Sequence, residues 1–202
     1  MKIGFLGPSQ SFSHAAAKQI FPDEELLAQR TIPEVFEKLE KGFIDKAVVP
    51  IENSSGGSVS QTLDELILRD VSIVGEHFLE IKQCFLSNKP LSEAKQIYSH
   101  QQGFLQCRNW VQKNIPHAEL IEVSSTSLAA KMAAENNSAA IASDSAAKEF
   151  GIKILADNIS DWKFNKTRFV VISVGKSGAK VDGKISLIFS IKNEPCRTFS
   201  TR

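Results

Sequence analysis

Short apolar runs rich in β-branched residues recur along this chain, and most are separated by segments with helical spacing. That alternation restricts the fold more than any other feature. A strand, a helix and a further strand lay down neighbouring strands of one sheet, so the pattern predicts an α/β architecture with a largely parallel sheet. Strand patterns cover residues 2–6, 46–51, 71–77, 81–86, 96–98, 120–123, 139–142, 153–155, 168–174 and 184–191. Helical patterns cover 13–20, 32–41, 59–69, 102–113, 127–136 and 145–150. The stretch Gly175-Lys176-Ser177-Gly178-Ala179-Lys180 reads as a linker.

Hydroxyl residues stand at most of the predicted helix starts: Ser11 and Ser13, Ser58, Ser124-Ser125-Thr126, and Ser143 with Asp144. Such side chains satisfy the first unpaired N–H groups of a helix, and Ser58 with Gln61 has the spacing of a capping box. The same N–H groups can instead hold an anion. Gly7-Pro8-Ser9 and Ser54-Ser55-Gly56-Gly57-Ser58 favour that use, because glycine lets backbone approach a ligand closely.

Bulk properties exclude several classes. Lys and Arg total 24 against 23 Asp and Glu, so no overall field attracts nucleic acid or a membrane surface. Anion binding must therefore come from local geometry. Cys84, Cys107 and Cys196 have neither metal-ligand nor redox spacing, and a scattered, odd set fits a reducing cytoplasmic compartment. The N-terminus has no secretory pattern, and no apolar run is long enough to span a bilayer.

Two stretches concentrate chemistry where an apolar strand meets polar residues: Val48-Val49-Pro50-Ile51-Glu52-Asn53-Ser54 and Asn165-Lys166-Thr167-Arg168-Phe169. Ligands of α/β proteins bind at that kind of edge. Brought together, the stretches offer a carboxylate, amides, hydroxyls and a guanidinium, a set suited to gripping a small anion. Each residue also has a plainer reading. Thr167 suits a strand start, Arg168 could form a structural salt bridge to Glu52, and Asn53 could close a turn.

The order of motifs resembles the prephenate dehydratase family. Gly4-Phe5-Leu6-Gly7-Pro8 with Ser11-Phe12-Ser13-His14-Ala15-Ala16 is similar to the family's opening. So are 48–54 with Gly57 and Ser58, Tyr98-Ser99-His100 with Gln102 and Gln106-Cys107, Ser125-Thr126, 139–143 with Ala146-Ala147, and Asn165 with Thr167-Arg168-Phe169.

The resemblance implies a two-lobed fold like that of type II periplasmic binding proteins, with a cleft between two α/β subdomains. The expected catalytic domain is 1–176, with lobe one at 1–76 plus 163–176 and lobe two at 77–162. A linker at 177–183 and a remnant of an ACT regulatory domain at 184–202 would follow. Asn193-Glu194-Pro195 fits the start of that domain, but Cys196-Arg197-Thr198-Phe199-Ser200 departs from it, so loss of phenylalanine feedback is expected.

The implied reaction is conversion of prephenate to phenylpyruvate with loss of carbon dioxide and water. Aromatisation drives it, so neither metal nor organic cofactor is expected. The protein must hold a dicarboxylate in a reactive shape and help the hydroxyl depart. Thr167 and Glu52 are the implied catalytic residues, and Asn53, Ser54, Ser99, Gln106, Asn165 and Arg168 the implied substrate contacts. Glu52 must be protonated, oriented by Arg168 or set back, because an ionised carboxylate repels a dianion. His14 and His100 are further titratable candidates. The family implies a homodimer or higher homo-oligomer. Alternatives are an arogenate or cyclohexadienyl dehydratase, or a binding module of the same fold that clamps a small anion without turning it over.

Overall fold

The computed structural model describes residues 1–162 and 164–175. Strand β1 (Lys2–Leu6), helix α1 (Phe12–Ile20), β2 (Glu25–Gln29), α2 (Ile32–Glu40), β3 (Lys46–Asn53), the short β4 (Gly57–Ser58), α3 (Ser60–Leu68) and β5 (Val71–Glu80) build the first lobe. The second contains β6 (Cys84–Ser87), a 3-10 turn at Leu91–Glu93, β7 (Gln96–Ser99), α4 (Gln101–Gln106), α5 (Arg108–Asn114), β8 (Glu119–Glu122), α6 (Thr126–Glu135), β9 (Ala139–Ala142), α7 (Asp144–Phe150) and β10 (Ile154–Ala156). Strand β11 (Lys166–Val174) returns to the first sheet.

The first sheet has the order β2-β1-β3-β11-β5, with β4 paired onto β3, and the second runs β10-β6-β9-β7-β8. The chain therefore crosses between lobes twice, which gives two α/β lobes with a cleft between them. The crossings lie side by side: Ile81 N–H donates to the Asn165 carbonyl at 2.8 Å, and Ile159 N–H to the Gln83 carbonyl at 2.8 Å.

Each sheet is sandwiched by helices, which explains why its central strands read as near-continuous apolar runs. In lobe one, Ala16 and Ala17 of α1 pack on Ile3, Phe5, Val48 and Phe169. On the other face, Val35, Phe36 and Leu39 of α2 pack on Ala47, Val49, Val170 and Ile172. In lobe two, Ala129, Ala130 and Ala133 bring α6 close to β9 and β6, while Cys107, Val111 and Ile115 cover the opposite face.

Several sequence expectations need correction. The sheets are mixed rather than largely parallel: β1 runs parallel to β2 and β3, but β11 is antiparallel to β3 and β5 because it re-enters from the other lobe. β2 was not expected; Glu-Leu-Leu-Ala-Gln has no β-branched residue and becomes a strand by pairing with β1. The helix expected over 102–113 breaks at Cys107 (φ −120°, ψ 17°), and Asp161 receives the N–H groups of Asn109 and Trp110 at 2.8 and 3.2 Å where α5 begins. Ser11, Ser125 and Ser143 cap α1, α6 and α7 as expected. Ser58 does not cap α3, whose N-cap is Val59 without a side-chain bond.

Candidate active site

A bulge aims the site residues. Pairing of β11 with β3 runs Thr167–Asn53, Arg168–Glu52 and then Phe169–Pro50, which leaves Ile51 as the extra residue on β3. Strict alternation would place Pro50 and Asn53 on opposite faces; the inserted residue puts both on one. Proline suits such a position, since it has no N–H to offer the ladder. The Pro50 carbonyl accepts from Thr62 Oγ1 of α3 at 2.6 Å, so α3 holds the bulge in place.

Asn53, Thr167, Pro50 and Phe169 face a cleft between the lobes, with a volume of about 420 Å³, that also meets Gln83, His100, Gln102 and Gln106. That volume lies within the usual range for a small-molecule site. The cleft receives the first residues of four helices: Ser11, Phe12 and Ser13 of α1, Ser58 and Val59 before α3, His100, Gln102 and Gly103 of α4, and Ser124, Ser125 and Thr126 of α6. Their unpaired N–H groups and dipoles give the cleft a positive lining without cationic side chains. Among the described residues that line it, none is Asp, Glu, Lys or Arg, and His100 is the single histidine. His100 serves α4 as N-cap, its Nδ1 accepting from the Gln102 N–H at 3.2 Å.

The amide of Asn53 has one permitted orientation. Its Oδ1 accepts the backbone N–H groups of Ser55 at 2.9 Å and Gly56 at 3.0 Å, and the Ser55 hydroxyl at 2.6 Å. Backbone N–H groups only donate, so Nδ2 must point the other way. There it donates to Thr167 Oγ1 at 2.7 Å and to Asn165 Oδ1 at 3.1 Å. Thr167 therefore accepts from Asn53, and with no acceptor for it among the described residues, its own hydroxyl proton is left for a ligand in the cleft.

The other expected site residues divide. Gln106, from the end of α4, lines the cleft and donates from Nε2 to Ser55 Oγ at 3.1 Å, joining the lobes. Asn165 is buried; its Oδ1 accepts from Asn53, and Nδ2 has no partner among the described residues. Ser54 acts as a clamp outside the cleft, donating from Oγ to the Phe164 carbonyl at 3.0 Å and accepting from Lys166 N–H at 2.9 Å. Ser99 is fully buried and donates to the Ile141 carbonyl at 2.9 Å, which ties β7 to β9.

Glu52 and Arg168, expected as a catalyst and a carboxylate ligand, do not line the cleft. Each stands next to a cleft-facing residue, Asn53 or Thr167, so alternation along its strand directs it to the opposite face of the sheet. Arg168 pairs there with Glu76, not Glu52: Nε and Nη2 approach Glu76 Oε2 at 3.0 and 2.8 Å, and the guanidinium lies 6.0 Å from the centre of the Phe78 ring. Strand alternation already implies that placement, but the partner of Arg168 does not show in the sequence, because Glu76 comes alongside only through the pairing of β11 with β5. Gln83 and Ser55 were missed as well; their place depends on how the crossing sets one lobe against the other.

His14 sits behind the cleft, stacked on Phe5 at 5.0 Å, and its Nδ1 accepts from Gln10 N–H at 3.0 Å. Burial, helped by the charge of Lys18, holds its pKa below the ordinary value. Burial pushes the thiols of Cys84 and Cys107 up to about 12, so neither supplies a thiolate near neutral pH. Among the described residues no cluster of three His, Cys, Asp or Glu could hold a metal ion. A hollow of about 470 Å³ outside α4 and α5, between Phe104, Leu105, Val111 and Leu120, contains none of the motif residues that line the cleft.

A sequence model of the prephenate dehydratase family matches residues 3–177. The chain is 38% identical over 198 residues to the bifunctional chorismate mutase/prephenate dehydratase of Aquifex aeolicus, covering 96% of this chain and 55% of that protein. It is 36% identical over 196 residues to the prephenate dehydratase of Bacillus subtilis, covering 92% and 69%. The chain thus spans about half the length of the bifunctional relatives it matches. Among solved structures, the prephenate dehydratase of Arthrobacter aurescens in complex with L-Phe superposes with a TM-score of 0.82 at 31% identity, covering 88% of this chain and 61% of that one. GqqA, described as a quorum quenching acylase, superposes at 0.79 with 28% identity, covering 91% and 67%. The match across both arms of the cleft, from the first strand through β11, makes this chain a member of the prephenate dehydratase family.

Proposed function

We propose that this chain is a prephenate dehydratase, a hydro-lyase that converts prephenate to phenylpyruvate, carbon dioxide and water. The carrying observation is the Thr167 hydroxyl, whose oxygen is occupied by Asn53 Nδ2 at 2.7 Å while its proton is available to the cleft. In the reaction the bond from the ring to its carboxylate breaks and carbon dioxide leaves. The released pair enters the ring, and ring electrons expel the hydroxyl on the opposite carbon, which takes up one proton and departs as water. Negative charge grows on that oxygen in the transition state, where a fixed donor contributes most. Threonine is too weak an acid to surrender its proton outright. Thr167 therefore donates a hydrogen bond, and solvent supplies the proton.

The cleft also suits the rest of the substrate. Two carboxylates meet helix N-termini and hydroxyls instead of carboxylate neighbours. This favours prephenate over arogenate, because the ammonium of arogenate would find no acidic partner among the described lining residues and would face the positive ends of helices. Asn53 and Gln106 are the amide contacts of this reading, with Asn165, Ser54 and Ser99 holding the frame around them. The catalytic unit is taken as residues 1–176, acting in the cytoplasm as a homo-oligomer. The segments read as linker and ACT remnant, 177–183 and 184–202, lie outside the described residues.

The test is an assay of purified protein for phenylpyruvate, with prephenate and arogenate offered in parallel. Turnover of prephenate with little or none of arogenate is expected. Binding of phenylpyruvate without turnover of either compound would replace the dehydratase by a binding module.

A further inference from the structure

Gln83 occupies an unusual position for a buried amide. It sits in the first crossing, between β5 and β6, and is 3% exposed. Its backbone carbonyl accepts from Ile159 N–H of the second crossing at 2.8 Å, so the residue belongs to the hinge itself. Its Nε2 donates to Gln106 Oε1 at 3.0 Å, while its own Oε1 is buried with no partner among the described residues. A buried polar atom without a partner costs stability, and an apolar residue would avoid that cost. Packing therefore does not account for an amide here, whereas its directed bond to Gln106 does.

That bond is the first link of a chain with one polarity. Gln83 donates to Gln106, Gln106 Nε2 donates to Ser55 Oγ at 3.1 Å, Ser55 Oγ donates to Asn53 Oδ1 at 2.6 Å, and Asn53 Nδ2 donates to Thr167 Oγ1 at 2.7 Å. Gln106 belongs to lobe two and Ser55 to lobe one. An amide bonded only through Nε2 could turn over and present Oε1 to Ser55. The Ser55 proton would then leave Asn53 for Gln106. Gln83 blocks that reversal by occupying Gln106 Oε1.

We propose that Gln83 is a positioning residue of the site, holding the Gln106 amide so that lobe closure and the polarity of the Ser55–Asn53–Thr167 chain are fixed together. This rests on the dehydratase reading for its kinetic consequence, though not for the hydrogen-bond chain. Gln83 touches no reacting atom in this account. Asn53 keeps its orientation from the Ser55 and Gly56 N–H groups, so loss of Gln83 weakens the donor instead of abolishing it.

The test is a double-mutant cycle of Gln83→Met and Ser55→Ala, with kcat and KM on prephenate and the side-chain amide resonances of Asn53 followed by NMR. Each single variant is expected to lose about tenfold in kcat with KM little changed, and the double variant no more than either, because both cut one chain. Independent effects that multiply to about a hundredfold would overturn the proposal. Gln83→Glu serves as a second variant should the first not fold. Its ionised carboxylate cannot donate, so kcat should recover as falling pH protonates it, and a profile parallel to that of the wild type would count against the relay. If the wild-type protein makes no phenylpyruvate, the dehydratase reading falls, and the Asn53 resonances decide the relay. Displacement in the Gln83 variant supports it, and unchanged resonances overturn it.

Discussion

Replacing Thr167 by valine removes one hydroxyl while keeping the branched shape that fills this buried strand position. Among the described residues the hydroxyl oxygen accepts a single bond, from Asn53 Nδ2 at 2.7 Å, and Nδ2 retains its second acceptor, Asn165 Oδ1, at 3.1 Å. Loss of one such bond costs about 0.5–1.5 kcal/mol. The added methyl recovers up to about 0.8 kcal/mol by burial. The fold should thus lose at most about 1.5 kcal/mol, a fall in Tm of no more than about 3–6 °C for a domain of this size. Catalysis should suffer far more, because removing one preorganised donor from a developing oxyanion costs about 10²–10³ in kcat, or about 2.7–4 kcal/mol. KM should stay within about threefold, since the donor matters chiefly in the transition state. Initial rates of phenylpyruvate formation and a thermal melt decide the matter. A Thr167→Val protein that melts normally and keeps kcat within about fivefold of the wild type would refute the donor role.

Three further outcomes follow from the geometry. Arg168→Ala should leave KM on prephenate within about twofold and cost at most about 1 kcal/mol of stability, because its partner Glu76 lies on the far face and the pair is partly solvated; a tenfold rise in KM with the fold intact would restore Arg168 as a carboxylate ligand. His14 is harder to protonate in the folded than in the unfolded chain, so it stabilises the fold above its ordinary pKa of 6.5, and that contribution is lost as the pH falls below it. The urea midpoint should therefore drop between about pH 7.5 and about pH 5.5, and His14→Gln should flatten the drop. A Cβ on Gly103 would overlap Ser99 Oγ, which is bonded to the Ile141 carbonyl, whereas one on Gly75 would only reach ordinary contact with Val171. Gly103→Ala should cost about 1–3 kcal/mol in thermal or urea melts, and Gly75→Ala should be near neutral.

The lobes themselves were legible because each strand and helix carries its own period. Apolar residues at 3–6, 47–49, 139–142 and 169–172 fill the sheet centres whichever partners they find. Serine caps at 11, 125 and 143 are local too, since a hydroxyl reaches only the N–H groups three residues on. Asn53, Thr167, Gln106 and Asn165 were picked out through the resemblance, and they join one hydrogen-bonded group bordering the cleft. Glu52 and Arg168 stand beside them in the sequence and were chosen with them. Their side chains emerge on the other face because adjacent residues of a strand point in opposite directions.

Local periodicity therefore settled which segments are strands or helices and which faces are apolar, as these properties depend on neighbours a few residues apart. Side-chain direction at the cleft, the unexpected partner of Arg168 and the place of Gln83 and Ser55 in the cross-lobe chain were decided only in three dimensions. A bulge and a double crossing are relations between strands distant in the chain, and register between such strands is fixed by packing and pairing, not by the order of residues within either one.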